Sequence, residues 1–328
     1  MQRFLRKISR DVLAILAMLA GIAGESSLAQ TYPTRPVRMI AASSPGGGSD
    51  VLARLLAAKL SETLGQQVIV ENRAGASGII GAEIVARSAP DGYTLLLTQA
   101  SLAINPAMHE KMPYDALRDF APICVMVGSG SVLVVHPSVP AKTVRELIAL
   151  ARAKPGSLVM GSPGQGTQPH LAGALFNIMA KVDMPQVQYK GASAAALSLL
   201  TGEIAVQFSS FTTLGGYIRN GKARPLGVTT HKRLTALPDV PTIAEAVLPG
   251  YESSQWFGVL ARAGTPRAII DRLNQETNRF LTLPDIREKL LALSYEIRGS
   301  TPEEFSALLK LETGKWAKVI KAAGIKPE

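Results

Sequence analysis

From about residue 37 onward the sequence alternates short apolar stretches with longer amphipathic ones, in two successive series of similar size. Strands and helices that take turns in this way fold as α/β layers around mainly parallel sheets. In the first series, residues 37–42 read as a strand. Ser49 or Asp50 then opens a helix whose Leu52, Leu56, Leu60 and Leu64 recur on one face, and Gly65 ends it. Residues 67–71, 79–87 and 93–97 continue as strand, helix and strand, the last following a Pro90-Asp91-Gly92 turn.

The second series begins with a strand at 132–135 and a helix at 143–153, which Thr143 and Glu146 open as a capping box. Strand 158–161, helix 167–180, strand 187–189, helix 192–200 and strands 204–208 and 226–228 follow. The last stretch holds a strand at 255–260 and helices at 266–281, 284–293 and 302–322. Helices without strands of their own need a sheet to cover, and the first domain is the expected host. The length exceeds that of a usual single domain. The economical assembly is two α/β domains, residues 31–131 with 252–328 and residues 132–251, joined by two crossings that act as a hinge around a central cleft.

The first thirty residues read as an address. Arg3, Arg6, Lys7 and Arg10 form a basic head, residues 12–23 an apolar stretch, and Ser27-Leu28-Ala29 a small-x-small cleavage pattern. A bilayer span needs roughly 20 apolar residues, and this run is shorter. Residues 1–29 are therefore expected to be a signal peptide cleaved after Ala29, and the mature chain to be periplasmic. Removing them takes away four basic and two acidic side chains and lowers the net charge from +10 to +8. The remaining basic residues are scattered beside carboxylates, as in Lys59 with Glu62 or Arg287 with Glu288, and aromatic residues are 5% of the chain. Such a distribution argues against nucleic-acid binding and for a mild long-range pull on anions. The single Cys124, within the apolar run 123–127, reads as a small buried hydrophobe.

Two loops carry the chemistry. Ser43-Ser44-Pro45-Gly46-Gly47-Gly48-Ser49-Asp50 lies between the first strand and the first helix, where glycines let backbone amides approach a ligand. A helix N-terminus carries roughly half a positive charge, so a carboxylate can be held there without Arg or Lys. The bland reading is a flexible turn capped by Ser49 or Asp50, and the loop alone supports both. In the second series Ser162, Gly164, Gly166, Thr167 and His170 occupy the same strand-to-helix position. There the Gly166 and Thr167 amides and the Ser162 and Thr167 hydroxyls suit an anion, again against a capped turn. Pro169 stands at the third glycine position of a dinucleotide fingerprint, which argues against a nucleotide cofactor.

Enzyme readings find little support. No Gly-x-Ser-x-Gly elbow, Walker loop or His-Glu-x-x-His motif occurs, and His109, His136, His170 and His231 are dispersed. No cofactor and no metal are expected. His170 and Asp50 read more readily as a packing histidine and a loop brace than as catalytic groups.

The sequence resembles the substrate-binding proteins of tripartite tricarboxylate transporters, the Bug receptors, over the whole mature chain. The likeness rests on Tyr32-Pro33-x-x-Pro36-Val37-Arg38, Pro45-Gly46-Gly47 with Asp50, Val70-Glu71-Asn72-Arg73-x-Gly75, Ala89-Pro90-Asp91-Gly92-Tyr93-Thr94-Leu95 and Leu102-Ala103-Ile104-Asn105-Pro106. It continues through Asp119-Phe120-Ala121-Pro122, His170-Leu171-Ala172-Gly173, Tyr189-Lys190-Gly191, Leu237-Pro238-Asp239-Val240-Pro241-Thr242 and Trp256-Phe257-Gly258. The resemblance implies a class II periplasmic-binding-protein fold that closes on a small carboxylated ligand. It implies a cleft lined by residues 43–50, by Gln99, Ala100 and Ser101, by residues 162–167 and by Phe208, Ser209 and Ser210.

Where the family commonly has a proline and an aromatic residue, this chain has Ala42 and Ser43. Where the family has acidic residues, it has Ala205 and Ser209. Without those carboxylates a ligand ammonium lacks its partner, so a non-amino carboxylate is expected. The expected partners are that solute and integral membrane transporter subunits, with the receptor itself a monomer. A periplasmic sensor feeding a signalling receptor, or an enzyme on the same fold, are the alternative readings.

Overall fold

The computed structural model describes residues 32–325 apart from Ser44 and Lys190, together with Pro327. The leader at residues 1–29, with its cleavage pattern, lies outside the described residues. The fold is a two-lobed α/β arrangement whose two sheets share one strand. In the first sheet β1 (Val37–Ala41) lies in parallel between β2 (Val68–Asn72) and β3 (Thr94–Gln99). The beginning of β4 (Phe120–Val135) belongs to the same sheet. The far part of β4 belongs to the second sheet, in which β5 (Met160–Ser162) is parallel to both β6 (Gln186–Gln188) and β7 (Val206–Ser210). There β4 pairs antiparallel with β7 and with β8 (Arg224–Val228). The chain then returns, and β9 (Ser254–Arg262) inserts antiparallel between β3 and β4, with the short β10 (Glu296–Ile297) also on β4.

The apolar stretches around Cys124 and Val134 look separate in sequence because Gly128-Ser129-Gly130 divides them. In the structure they are one strand of 16 residues. The glycines permit this, because a Cβ on Gly130 would lie 2.3 Å from Thr230 Cγ2 and one on Gly128 2.7 Å from Arg298 Nε. Gly130 pairs with Ser254 in the first sheet and Ser131 with Ser210 in the second, so the chain changes lobes between them. It comes back at Ser253, whose amide donates to the Thr229 carbonyl at 3.0 Å.

Helices α1 (Gly48–Leu64), α2 (Ile79–Ala86) and α3 (Ser101–Met108) follow the strands of the first sheet. On α1 the leucine stripe is buried and Gly65 closes the helix in the left-handed region at φ 69°. The second lobe carries α4 (Val144–Ala153), α5 (Gln168–Ala180), α6 (Ala192–Leu200), α7 (Phe211–Arg219) and α8 (Ile243–Ala246). At α4 the expected capping box is half made: the Thr143 hydroxyl accepts from the Glu146 amide at 3.1 Å, but the Glu146 carboxylate takes the Lys142 amide instead. Complete boxes form at Thr242 with Glu245 and at Thr301 with Glu304.

Of the last three helices, α9 (Arg267–Thr282) and α10 (Pro284–Ala292) pack on the first lobe, as their apolar faces require. The third, α11 (Pro302–Ala322), does more than cover the first sheet. It packs on α3 and β4 and also reaches α5 of the second lobe. Its buried Trp316 donates to the Glu312 carboxylate at 2.7 Å, and Phe305 meets Trp256 edge-on. Cys124 is buried and unpaired, and burial pushes its thiol up to about 11, consistent with an inert packing role.

Candidate functional site

In open α/β sheets, ligands sit beyond the carboxyl ends of the strands, where helices begin. A cavity of about 300 Å³ occupies that position, with a wall drawn from both lobes. The first lobe contributes Ser77, Gln99, Ala100, Ser101, Ile104 and Gln255. From the second lobe come Pro163, Gly166, Thr167, Gln168 and Pro169, with Ala192, Ser209 and Ser210. No lysine, arginine, histidine, aspartate or glutamate is among these lining residues.

Four helices start at this wall. Ala100 is the N-cap of α3, Thr167 that of α5 and Ser210 that of α7, while Ala192 is the first residue of α6 after its N-cap Gly191. Their lengths are 8, 13, 9 and 9 residues, enough for each to present a developed dipole. Each N-terminus is worth about 0.3–1 kcal/mol to a nearby anion at the surface and up to ~2 kcal/mol when partly buried. Four such ends favour an anion at this wall without help from a charged side chain among the described lining residues. The Ser101 hydroxyl is buried against this wall with no hydrogen-bond partner among the described residues. Ser77 is held at φ 52° in the left-handed region, and its carbonyl accepts from Asn105 at 3.2 Å. Side chains rarely adopt that conformation without a compensating reason, and such positions gather at binding sites.

The two Gly-rich loops turn largely inward. In the first, Asp50 accepts from the Gly46 amide at 2.8 Å and from Asn72 Nδ2 at 2.9 Å, and pairs with Arg54 at 2.9 Å. Burial pushes the Asp50 carboxyl up, but these donors outweigh it and leave it below its ordinary value. The Ser43 hydroxyl accepts from the Asp50 amide at 3.2 Å. Gly48 packs so tightly that a Cβ there would lie 2.8 Å from the Phe257 ring and 2.9 Å from the Tyr295 hydroxyl. In the second loop the Gly166 amide donates to His170 Nδ1 at 3.1 Å, and the hydroxyls of Thr167 and Ser162 donate to the Gly164 carbonyl at 2.7 and 3.2 Å. His170 is buried, which pushes its pKa down and keeps the ring nitrogen able to accept.

Residues 52–325 match the family described as the tripartite tricarboxylate transporter family receptor. The chain belongs to that family. This receptor is 37% identical over 300 residues to the protein BugT of Bordetella pertussis, a match that covers 91% of this chain and 92% of BugT. It superposes on an R. palustris protein solved with adipate at a TM-score of 0.76 and 36% identity, covering 90% of this chain and all of that one. MatC from Rhodopseudomonas palustris with bound malate superposes at a TM-score of 0.70 and 29% identity, over 88% of this chain and 100% of MatC. The two-lobed fold of the receptor is thus that of periplasmic solute-binding proteins, and its function is that of a solute-binding receptor.

Of the residues singled out from the sequence, the structure gathers Gln99, Ala100, Ser101, Gly166, Thr167, Ser209 and Ser210 around the receptor's cavity. Ser162, Gly164 and His170 stand behind that wall as braces of the second loop, and Phe208 is fully buried against Phe176. Ser43, Pro45, Gly46, Gly47, Gly48, Ser49 and Asp50 are not among the lining residues, and Ser44 lies outside the described residues. Ala42, just before that loop, lies near Ser101 of the wall, since a Cβ on Gly78 would meet Ala42 at 3.4 Å and the Ser101 hydroxyl at 3.6 Å.

Sequence reasoning missed Ser77, Ile104, Gln168, Pro169, Ala192 and Gln255. Ala192 was within reach, since helix 192–200 is legible and its start follows Gly191. Gln168 adjoins Thr167 but carries no motif of its own. Helix α7 was not read at all, because Thr212-Thr213 and Gly215-Gly216 hide its periodicity.

Proposed function

We propose that the cavity holds a small carboxylated solute lacking an ammonium group, and that the receptor closes its two lobes on it and delivers it to integral membrane subunits of a tripartite tricarboxylate-type transporter. The observation that carries this reading is the convergence of four helix N-termini on a wall with no charged side chain among its described residues. That arrangement attracts an anion and offers no carboxylate to a ligand ammonium. The adipate and malate bound by the two R. palustris relatives support the same ligand class. Binding without turnover is supported by the match to a transporter receptor family and by relatives solved with bound adipate and malate.

In this reading the lobes are residues 31–131 with 252–328 and residues 132–251, and the chain works as a periplasmic monomer after cleavage behind Ala29. The proposed ligand contacts are Ser77, Ser101, Thr167, Ser209 and Ser210 with the amides at the helix starts, and the Ser43–Asp50 loop braces the rim. Isothermal titration with adipate, malate and aspartate tests the proposal. Adipate or malate should bind with 1:1 stoichiometry and aspartate far more weakly. Tight aspartate binding with no response to either simple carboxylate would overturn it.

A further inference from the structure

We infer that Gln168 is a positioning residue that couples the cavity wall to the hinge and so sets the affinity for the solute, a role that rests on the cleft function proposed above. Gln168 opens α5 and lines the cavity between Thr167 and Pro169. Proline at the second helical position fixes φ there, which holds this turn of the wall rigid.

The side-chain amide of Gln168 runs away from the loop motif and into the two lobe crossings. Its Oε1 accepts from the Ser131 hydroxyl at 2.8 Å, at the point where β4 leaves the first sheet. Its Nε2 donates to the Ser253 hydroxyl at 3.0 Å and also to the Ser253 carbonyl, just before β9 enters the first sheet. Thr229 joins the same knot. The Ser131 amide donates to its hydroxyl at 2.8 Å, its own amide donates to the Ser131 carbonyl at 2.9 Å, and its carbonyl accepts from Ser253 at 3.0 Å. Gln168, Ser131, Thr229 and Ser253 are all buried.

Both ends of one amide are therefore committed to the two segments that must twist when the lobes rotate, while the same residue lines the cavity. With all four residues buried, breaking one of these bonds leaves a polar group poorly satisfied, so the bonds hold α5 to one hinge geometry. A ligand seated at the α5 start selects that geometry, and lobe closure is transmitted through Gln168.

Ser131→Ala in the full chain is the discriminating variant, because Ser131 is not among the lining residues and removes only the hinge end of the bond. Adipate affinity should fall roughly three- to tenfold, the effect of one buried hydrogen bond. Gln168→Leu should weaken it at least as much, and the double variant should be no weaker than Gln168→Leu alone. Spin labels at Glu62→Cys and Lys222→Cys, beside the buried native Cys124, report the inter-lobe distance by pulsed resonance. In both variants the ligand-free distance distribution should broaden. Unchanged adipate affinity with an unchanged distribution in Ser131→Ala overturns the coupling role. If the unmodified receptor takes up neither adipate nor malate, the cleft proposal fails instead, and the ligand-free distances alone still decide the role of Gln168.

Discussion

Ser210→Asp tests the electrostatic basis of the cavity with little structural confusion. Ser210 caps α7 by accepting the Thr213 amide at 3.3 Å and lines the cavity. Aspartate is as good an N-cap as serine, so the helix keeps its cap and thermal stability should hold or rise slightly. The new carboxylate, however, stands in the wall. A cavity of about 300 Å³ has the volume of a sphere roughly 8 Å across, so a bound carboxylate lies within ~6 Å of position 210. At an effective dielectric near 20, two negative charges about 5–6 Å apart repel by about 3 kcal/mol, on the order of a hundredfold in affinity. The new charge also screens the α7 end from the ligand. Isothermal titration with adipate at low and moderate salt, with a melting curve as a folding control, gives the answer. Affinity equal to that of the unmodified receptor, in a protein that melts normally, would mean that the anion does not bind in this cavity.

Three further outcomes follow from the packing and the charges. Glu71 is gripped by Arg38 at 2.7 and 3.0 Å, which, with help from Arg73 and against the opposing effect of burial, holds its carboxyl at about 2 instead of 4.5. Because the folded pKa is depressed, that stabilisation is fully present above about pH 4.5 and disappears as pH falls toward about 2. Glu71→Gln should therefore lower the unfolding free energy from urea titration at pH 7 by about 1 kcal/mol or less for a partly exposed pair. The difference should vanish near the acid end, and an equal difference at both pH values would contradict this account. Trp316→Ala should cost about 3–5 kcal/mol in guanidinium unfolding by opening a cavity in the core, with Glu312 left without its indole donor; a loss under about 1 kcal/mol would show that α11 contributes little. Gly48→Ala should destabilise by about 1–3 kcal/mol through overpacking against Phe257 and Tyr295, seen as a lower melting temperature, and a neutral result would mean that the start of α1 shifts at no cost.

Much of the architecture is legible in the residue pattern because burial on one face imposes a period. The leucine stripe of α1, the strands β1, β2, β3 and β9 and the span of α11 follow from apolar spacing, and Gly65 and Thr301 mark ends through their own local conformations. The second Gly-rich loop is visible as a helix start for the same local reason. The roles of Asp50 and His170 as braces also agree with how such side chains behave beside a helix N-terminus.

Other features depend on partners far away in the chain. That β4 runs unbroken through both sheets depends on Thr230 and Arg298 packing directly against Gly130 and Gly128, where no side chain would fit, and no local window contains those partners. The second lobe's share of α11 arises because a helix with Trp316 and Glu312 on its buried face finds α5 as well as α3. The amides of Gly46 and Gly166, which suit an anion when read locally, are taken by Asp50 and His170 once the loops fold. The field in the cavity arises instead from four helix starts whose sequence positions span about a hundred residues. Local pattern thus sets which segments become strands and helices, because that depends on near neighbours. Which ends of those helices face one another depends on how the sheets stack, and the combined pull of those ends on an anion exists only after that stacking is complete.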